Sequence, residues 1–274
     1  MATDYAQAAS RPALSSAPAK RRAPHPAVVR MVYSVATFAV FLLAWQLLAR
    51  PLGIPGYILP VPSEFLAELY ASRELIAHHT LITAWETALG FVLSTVVSIP
   101  LGYFIVRILF LERTLYPMIV AFKIIPKVAI APLFIVWFGF GIGPKVWFTF
   151  MMCFFPTLVA AIAGFRALEE RTLYLVRSMG ASSWQTFRYV RMPAALDYIF
   201  AGMKISIVFA TTGAIVAEFV GGNSGLGYLM LHATSTMDMA LVFAVVIVLC
   251  VLGLLLAAVV DGLERITMRW KHTS

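Results

Sequence analysis

Charge is scarce in this chain. Of its 274 residues only 12% are Asp, Glu, Lys or Arg, about half of what a water-soluble domain carries, which excludes a soluble globular protein. Cysteine is nearly absent: Cys153 and Cys250 both sit inside apolar runs without metal-ligand spacing. That excludes a disulfide framework and a zinc site and leaves small apolar packing residues. The five histidines are scattered, and the adjacent pair His78-His79 points to different faces of a helix, so no metal set and no nucleophile with its base is assembled. No G-x-x-x-x-G-K-[ST] run occurs, so the chain lacks that nucleotide-binding loop. Acids are the scarcer sign, 13 against 21 bases. A net charge of +8 suits nucleic acid or anionic lipid; a hydrophobic content of 61% decides for membrane lipid and against nucleic acid.

The apolar residues are gathered into runs at about 32–49, 81–106, 115–138, 144–165, 199–219 and 240–260. Each approaches the ~20 residues a helix needs to cross about 30 Å of hydrocarbon. Six membrane spans are therefore expected in an all-α integral membrane protein. The third run is interrupted by Lys123, Pro126, Lys127 and Pro132. The first is nearly full length with no small-residue cleavage site behind it, so it is read as a retained span rather than a signal peptide. Residues 1–30, rich in Ala, Ser, Pro and Arg, lack apolar periodicity and are expected to form a disordered cytoplasmic tail. Residues 31–265 then form the transmembrane domain, and 266–274 a second cytoplasmic tail.

Basic residues are retained on the cytoplasmic side. Alternate connections separate them sharply: the amino-terminal tail, Arg107 and Arg113, the 166–191 segment and the 265–271 end on one side, only Arg50, Arg73 and Lys145 on the other. Both termini are expected in the cytoplasm. Lys123, Lys127 and Lys204 remain at membrane depth.

Three connections are long enough to have structure. In the outer segment after Arg50, Ser63-Glu64 can cap a short interfacial helix through Phe65, Leu66 and Leu69. The outer segment from Gly221 to Met239 holds Gly221, Gly222, Gly225 and Gly227, which permit tight turns and close approach. The cytoplasmic loop, about 166–197, is the informative one. Good helix formers run from Leu168 to Met179, Gly180 stops them in a left-handed conformation, and Ser182 or Ser183 caps a second helix through Trp184, Phe187 and Val190 that Pro193 ends or kinks. Met179, Trp184 and Phe187 then form an apolar patch rimmed by Arg177, Arg188 and Arg191, a docking surface for a cytosolic protein.

This loop resembles that of the permease subunits of binding-protein-dependent ABC importers. Their pattern is E-A-A, three residues, G, nine residues, I, one residue, L-P, and Gly180, Val190, Met192 and Pro193 stand at those separations. Leu59-Pro60-Val61-Pro62-Ser63, Gly90-Phe91, Ile125-Pro126-Lys127, Pro132-Leu133, Trp137-Phe138-Gly139, Met179-Gly180-Ala181-Ser182 and Gly225-Leu226-Gly227-Tyr228 extend the likeness to the nitrate/sulfonate/taurine group. One departure is clear: Tyr174-Leu175-Val176 replaces Glu-Ala-Ala, which removes an acidic contact to the ATPase unless Glu169 or Glu170, a turn earlier, replaces it.

The resemblance implies a type I importer permease fold in the inner membrane and a homodimer. It also implies a separate ATP-binding subunit that holds ATP and Mg, and an extracytoplasmic solute-binding protein. The chain itself is then neither an enzyme nor a cofactor carrier, and the loop transmits ATPase closure to alternating access. Solutes of the group are nitrate, sulfonate or taurine anions, thiamine-precursor pyrimidines and riboflavin; Glu86 before Gly90-Phe91, with Glu218-Phe219, resembles the pyrimidine and flavin branch slightly more. An ATP-independent secondary transporter or channel is the alternative, and an integral membrane enzyme a remote one.

Intramembrane charges are candidates for the solute pathway. Lys123 and Lys127, four residues apart on one helical face, form a basic lining or hold the fold. Glu218 and Glu86 belong to an outer gate or receptor contact, or else pair with Lys145 or are solvated. Lys204 is expected to snorkel toward the cytoplasm, and Thr211 and Thr212 to bond their own helix.

Overall fold

A computed structural model describes residues 26–269, with side chains from Tyr33 onward. Most of the expected amino-terminal tail and the last five residues lie outside the described residues. The described chain is helical throughout, without a strand. Helix α1 spans Pro26–Leu48, α2 Pro62–Ala71, α3 Arg73–Arg107 and α4 Leu109–Ile124. A 3-10 turn over Lys127–Ile130 leads into α5, Ala131–Phe138, and α6 follows over Ile142–Arg166. The loop helices are α7, Glu170–Ser178, and α8, Ser183–Thr186; then come α9, Met192–Gly221, α10, Leu226–Ser235, and α11, Met239–Thr267.

Four of these are long and apolar enough to cross a membrane: α3, α6, α11 and the continuous helix Ser183–Gly221 that contains α9. A fifth crossing exists if α4 and the Lys127–Phe138 segment are one span, but they are bent by 87°. The bend follows from the sequence. Pro126 forces the residue before it out of the helical region, and Ile125 is extended at φ −62°, ψ 130°. The expected third span is thus broken. In α1 the described apolar stretch is Tyr33–Leu48, and the helix begins at Pro26 rather than after residue 30.

The core is a three-helix contact of α3, α6 and α9. Lipid tails are as apolar as Leu, so close packing and interhelical hydrogen bonds, not burial from water, hold such helices together. At Gly90 a Cβ would stand 2.5 Å from Thr149 Cγ2; only glycine lets α3 approach α6 this closely. Polar contacts reinforce the packing. Ser98 Oγ donates to the Phe154 carbonyl at 3.2 Å, Thr157 and Ser206 hydroxyls meet at 2.6 Å, and Ser206 Oγ reaches the Cys153 carbonyl at 3.1 Å. Cys153 is buried there as a packing residue, whereas Cys250 is exposed.

Two peripheral expectations change. Helix α2 exists, but it starts at Pro62 with Val61 as cap and Glu64 accepting the Val61 N–H at 3.1 Å. Ser63 is engaged by Gln46 of α1 instead, through 3.1 and 3.0 Å hydrogen bonds. Lys204 does not merely snorkel: it ties α9 to α11 through Asp261 at 2.8 Å and Glu264 at 2.6 Å. Thr211 and Thr212 do bond their own helix, to the carbonyls of Ile207 and Val208.

Candidate functional site

Three constellations contain the residues singled out from sequence. The first is the loop. Glu170 lies in the first turn of α7 and Arg177 in its last, each favourably placed on the helix dipole. Gly180 has φ +83°, the left-handed stop its position required. Ser182 caps the next helix: its Oγ accepts from Gln185 N at 3.2 Å while Gln185 Oε1 accepts from Ser182 N at 2.7 Å, a reciprocal capping box.

Of the two expectations for Pro193, a helix end is not what is found. The chain widens to a π turn over Phe187–Arg191, the form that accommodates a proline lacking its N–H and crowding the carbonyl four residues back. The helix then continues, so that Ser183–Gly221 is one rod. Tyr174, Met179, Trp184 and Tyr189 are exposed, as a docking patch requires. Phe187 is not part of an open surface. Its ring packs on Tyr103 at 4.6 Å and Phe165 at 6.3 Å, anchoring the loop to α3 and α6, with Trp184 at 5.7 Å above it. Ala181, Val190 and Pro193 are half-buried beneath the same surface.

The second constellation is a groove of about 670 Å³ beside the α4 break, lined by Lys123, Lys127, Phe155, Tyr198, Gly202 and Phe209 among others. The two lysines do not share a helical face; they stand on either side of the 87° break. Lys127 Nζ reaches the Lys123 carbonyl at 3.4 Å and lies 5.4 Å over the Phe155 ring. Among the described residues neither lysine has an acidic partner.

The third is buried at the opposite end of the bundle from the loop, and the sequence revealed only half of it. Glu86 is 0% and Lys145 3% exposed, and Lys145 Nζ meets Glu86 Oε1 and the Ser224 carbonyl, both at 2.9 Å. Glu218, also 0% exposed, is neither solvated nor bonded to Lys145. Its Oε1 accepts from Thr83 Oγ1 at 2.7 Å and its Oε2 from Gly227 N at 2.5 Å. Thr83 Oγ1 in turn accepts from Leu226 N at 2.8 Å, and His79 Nδ1 from Gly225 N at 2.9 Å. The cluster thus pins the glycine turn between α9 and α10 against α3.

His79 and Thr83 were missed from sequence. The signal was present: His79, Thr83 and Glu86 recur at the spacing of one helical face inside an apolar span. Lys145, counted from sequence in an outer connection, belongs to the interior. No group of three or more potential metal ligands is present among the described residues.

An exposed helix, glycine and helix, rigidly continuous with a long apolar helix and packed on two others, is the arrangement that the resemblance requires. Residues 94–269 match the family of binding-protein-dependent transport system inner membrane components. The chain belongs to that family. It is an ABC importer permease of the sulfonate and taurine group, a non-catalytic, multi-pass inner-membrane subunit whose ATPase is a separate chain. Membership implies an ATP-binding subunit and a solute-binding protein as partners.

The chain is 35% identical to the riboflavin transport system permease RibX of Chloroflexus aurantiacus, covering 86% of this chain and 88% of that one. It is 33% identical to the formylaminopyrimidine transport permease ThiX of Halalkalibacterium halodurans, covering 85% and 94%. Its fold is similar to the MetNI methionine ABC transporter in inward-facing conformation, with TM-score 0.61, 19% identity, and 71% of this chain and 97% of that one covered.

Proposed function

We propose that this permease spans the membrane six times with both termini in the cytoplasm, and works as a homodimer. A separate ATPase binding ATP and Mg docks on the 166–197 loop of each copy. Closure of the ATPase pair displaces the loop, and access to the solute alternates between the two sides. The observation that carries this reading is the unbroken rod Ser183–Gly221: a load applied at Trp184 is delivered along a rigid element to the outer glycine turn, as a rigid-body transition needs. Exposed Tyr174, Met179 and Trp184 form the contact, with Gly180 setting the angle between the two loop helices. Tyr174-Leu175-Val176 makes that contact largely apolar, with Glu169 and Glu170 as its nearest acids.

The groove with Lys123 and Lys127 is the solute path. Two unneutralised cations at membrane depth favour a solute with anionic or carbonyl oxygens. That suits sulfonate-like anions as well as formylated pyrimidines and flavins. The names of the similar permeases include both kinds, aliphatic sulfonates and taurine as well as formylaminopyrimidine and riboflavin. Glu86 and Glu218, being fully buried, hold the outer turn rather than touch solute.

The test is uptake in liposomes. The chain reconstituted with its ATPase and receptor should import solute only with ATP inside. Uptake by the chain alone would establish instead the ATP-independent transporter or channel. Gly180→Val, which costs about 1–2 kcal/mol for a left-handed residue and more for a β-branched one, should leave the spans folded and release ATP hydrolysis from transport. Lys123→Gln with Lys127→Gln should lower uptake about tenfold or more, the equivalent of about 1.4 kcal/mol of lost attraction. Unchanged uptake in that double variant removes the two lysines from the path.

A further inference from the structure

Beside the loop lies a cavity of about 290 Å³ that Tyr174, Met179 and Trp184 do not line. Its walls are the end of α3, with Tyr103 and Arg107, the end of α7, with Arg177, and Ser182, Thr186 and Arg191 beyond the glycine. Among the described residues no acid lines it. Arg107, Arg177 and Arg191 line it together, and Arg191 Nη1 is shielded from solvent without a hydrogen-bond partner among the described residues. Three guanidinium groups gathered with no counter-ion among the described residues repel one another, and an anion with several oxygens relieves the repulsion while satisfying the orphan donor.

A second cavity of about 360 Å³ adjoins the first, sharing Tyr103 and Ser183. Its remaining walls, Ile99, Pro100, Phe104, Phe165, Trp184 and Phe187, are apolar. Ile99 precedes Arg107 by eight residues on α3, which places it about 12 Å further into the bilayer. A basic cup at the end of a spanning helix, opening into an apolar trough that runs along the same helix, matches the two chemistries of a phospholipid.

We propose that these joined cavities bind one anionic phospholipid, its phosphate among Arg107, Arg177 and Arg191 and an acyl chain along Ile99, Phe104 and Phe187. A free phosphate leaves the trough empty, and a carboxylate from a docked protein has no use for a trough directed into the membrane. The bound lipid bridges α3 and α7, supplementing the Tyr103–Phe187 contact. The inference rests on α3 spanning the membrane and not on the ATPase-docking role of the loop.

The test is native mass spectrometry of the full-length permease with phosphatidylglycerol or phosphatidylcholine added, for wild type and Arg107→Gln with Arg177→Gln. Both arginines are exposed, so folding is little disturbed, and monodispersity on size exclusion checks it. Wild type should retain phosphatidylglycerol over phosphatidylcholine, and the double variant should lose about 30-fold of that preference. Equal retention of the two lipids, or an undiminished preference in the variant, overturns the proposal. Displacement of the lipid by millimolar inorganic phosphate overturns it in favour of a free-phosphate site. Loss of ATPase association with lipid retention unchanged assigns the arginines to the partner protein instead.

Discussion

Lys145→Met is expected to cost the folded permease about 3–5 kcal/mol, and Glu86→Gln made in the same chain to return most of it. Lys145 and Glu86 side chains are 4% and 0% exposed and their charged atoms 2.9 Å apart. Removing the lysine leaves Glu86 without a counter-charge in the interior, beside a second buried carboxyl group at Glu218, and takes the donor from the Ser224 carbonyl. The charge remaining, not the bond lost, is the larger cost, which is why the double variant recovers. A loss of this size is a large fraction of the 5–15 kcal/mol that is typical of a folded domain. The check is thermal unfolding of the purified permease in detergent across wild type, the two singles and the double. If Lys145→Met melts with wild type, or the double is no better than the single, Lys145 is not the counter-ion of Glu86.

The second large effect is expected at Gly225. Its φ of +106° is a conformation that L side chains rarely adopt, and a Cβ there would overlap the Glu218 carboxylate. Gly225→Ala therefore adds backbone strain of about 1–2 kcal/mol to overpacking of about 1–3 kcal/mol. Relief requires Glu218 to leave Thr83 and Gly227, so the glycine turn detaches from α3. His79→Ala reaches the same turn from the other side, leaving the Gly225 N–H without its acceptor at about 1–3 kcal/mol. Because both variants act on one turn, their combination should cost less than their sum. Proteolysis of the 221–239 segment, faster in Gly225→Ala than in wild type, is the expected signature. Equal cleavage rates would show that the turn is held by something other than this cluster.

Legibility from sequence followed the range of the interaction. The loop could be read because its determinants are local: good helix formers before Gly180, the glycine at their end, and a serine at 182 or 183 to start the next helix. Phe187 was placed on the docking surface because an aromatic side chain next to Trp184 gives no local sign of which neighbour it packs against. That Pro193 leaves the helix running through a π turn is beyond single-residue propensity, because five residues share the accommodation. The bend at Ile125–Pro126 was visible as an interruption but not as an 87° turn. A proline sets the conformation of its neighbour, and the packing of α5 on α6 sets the direction.

The buried cluster lay furthest from reach. Thr83 and Glu218 are 135 residues apart in the chain, His79 and Gly225 146, and no pattern within a window of one helix brings them together. Composition and spacing determined that this chain lives in lipid, that it is helical and where its loop turns, while the family came from the resemblance of its motifs. Those properties depend on apolar run length and on backbone chemistry that each residue carries with it. Which charges face solvent, solute or one another was decided by tertiary structure. At membrane depth a charge needs a partner or a polar cavity, and for Glu86 the partner, Lys145, is delivered by another helix.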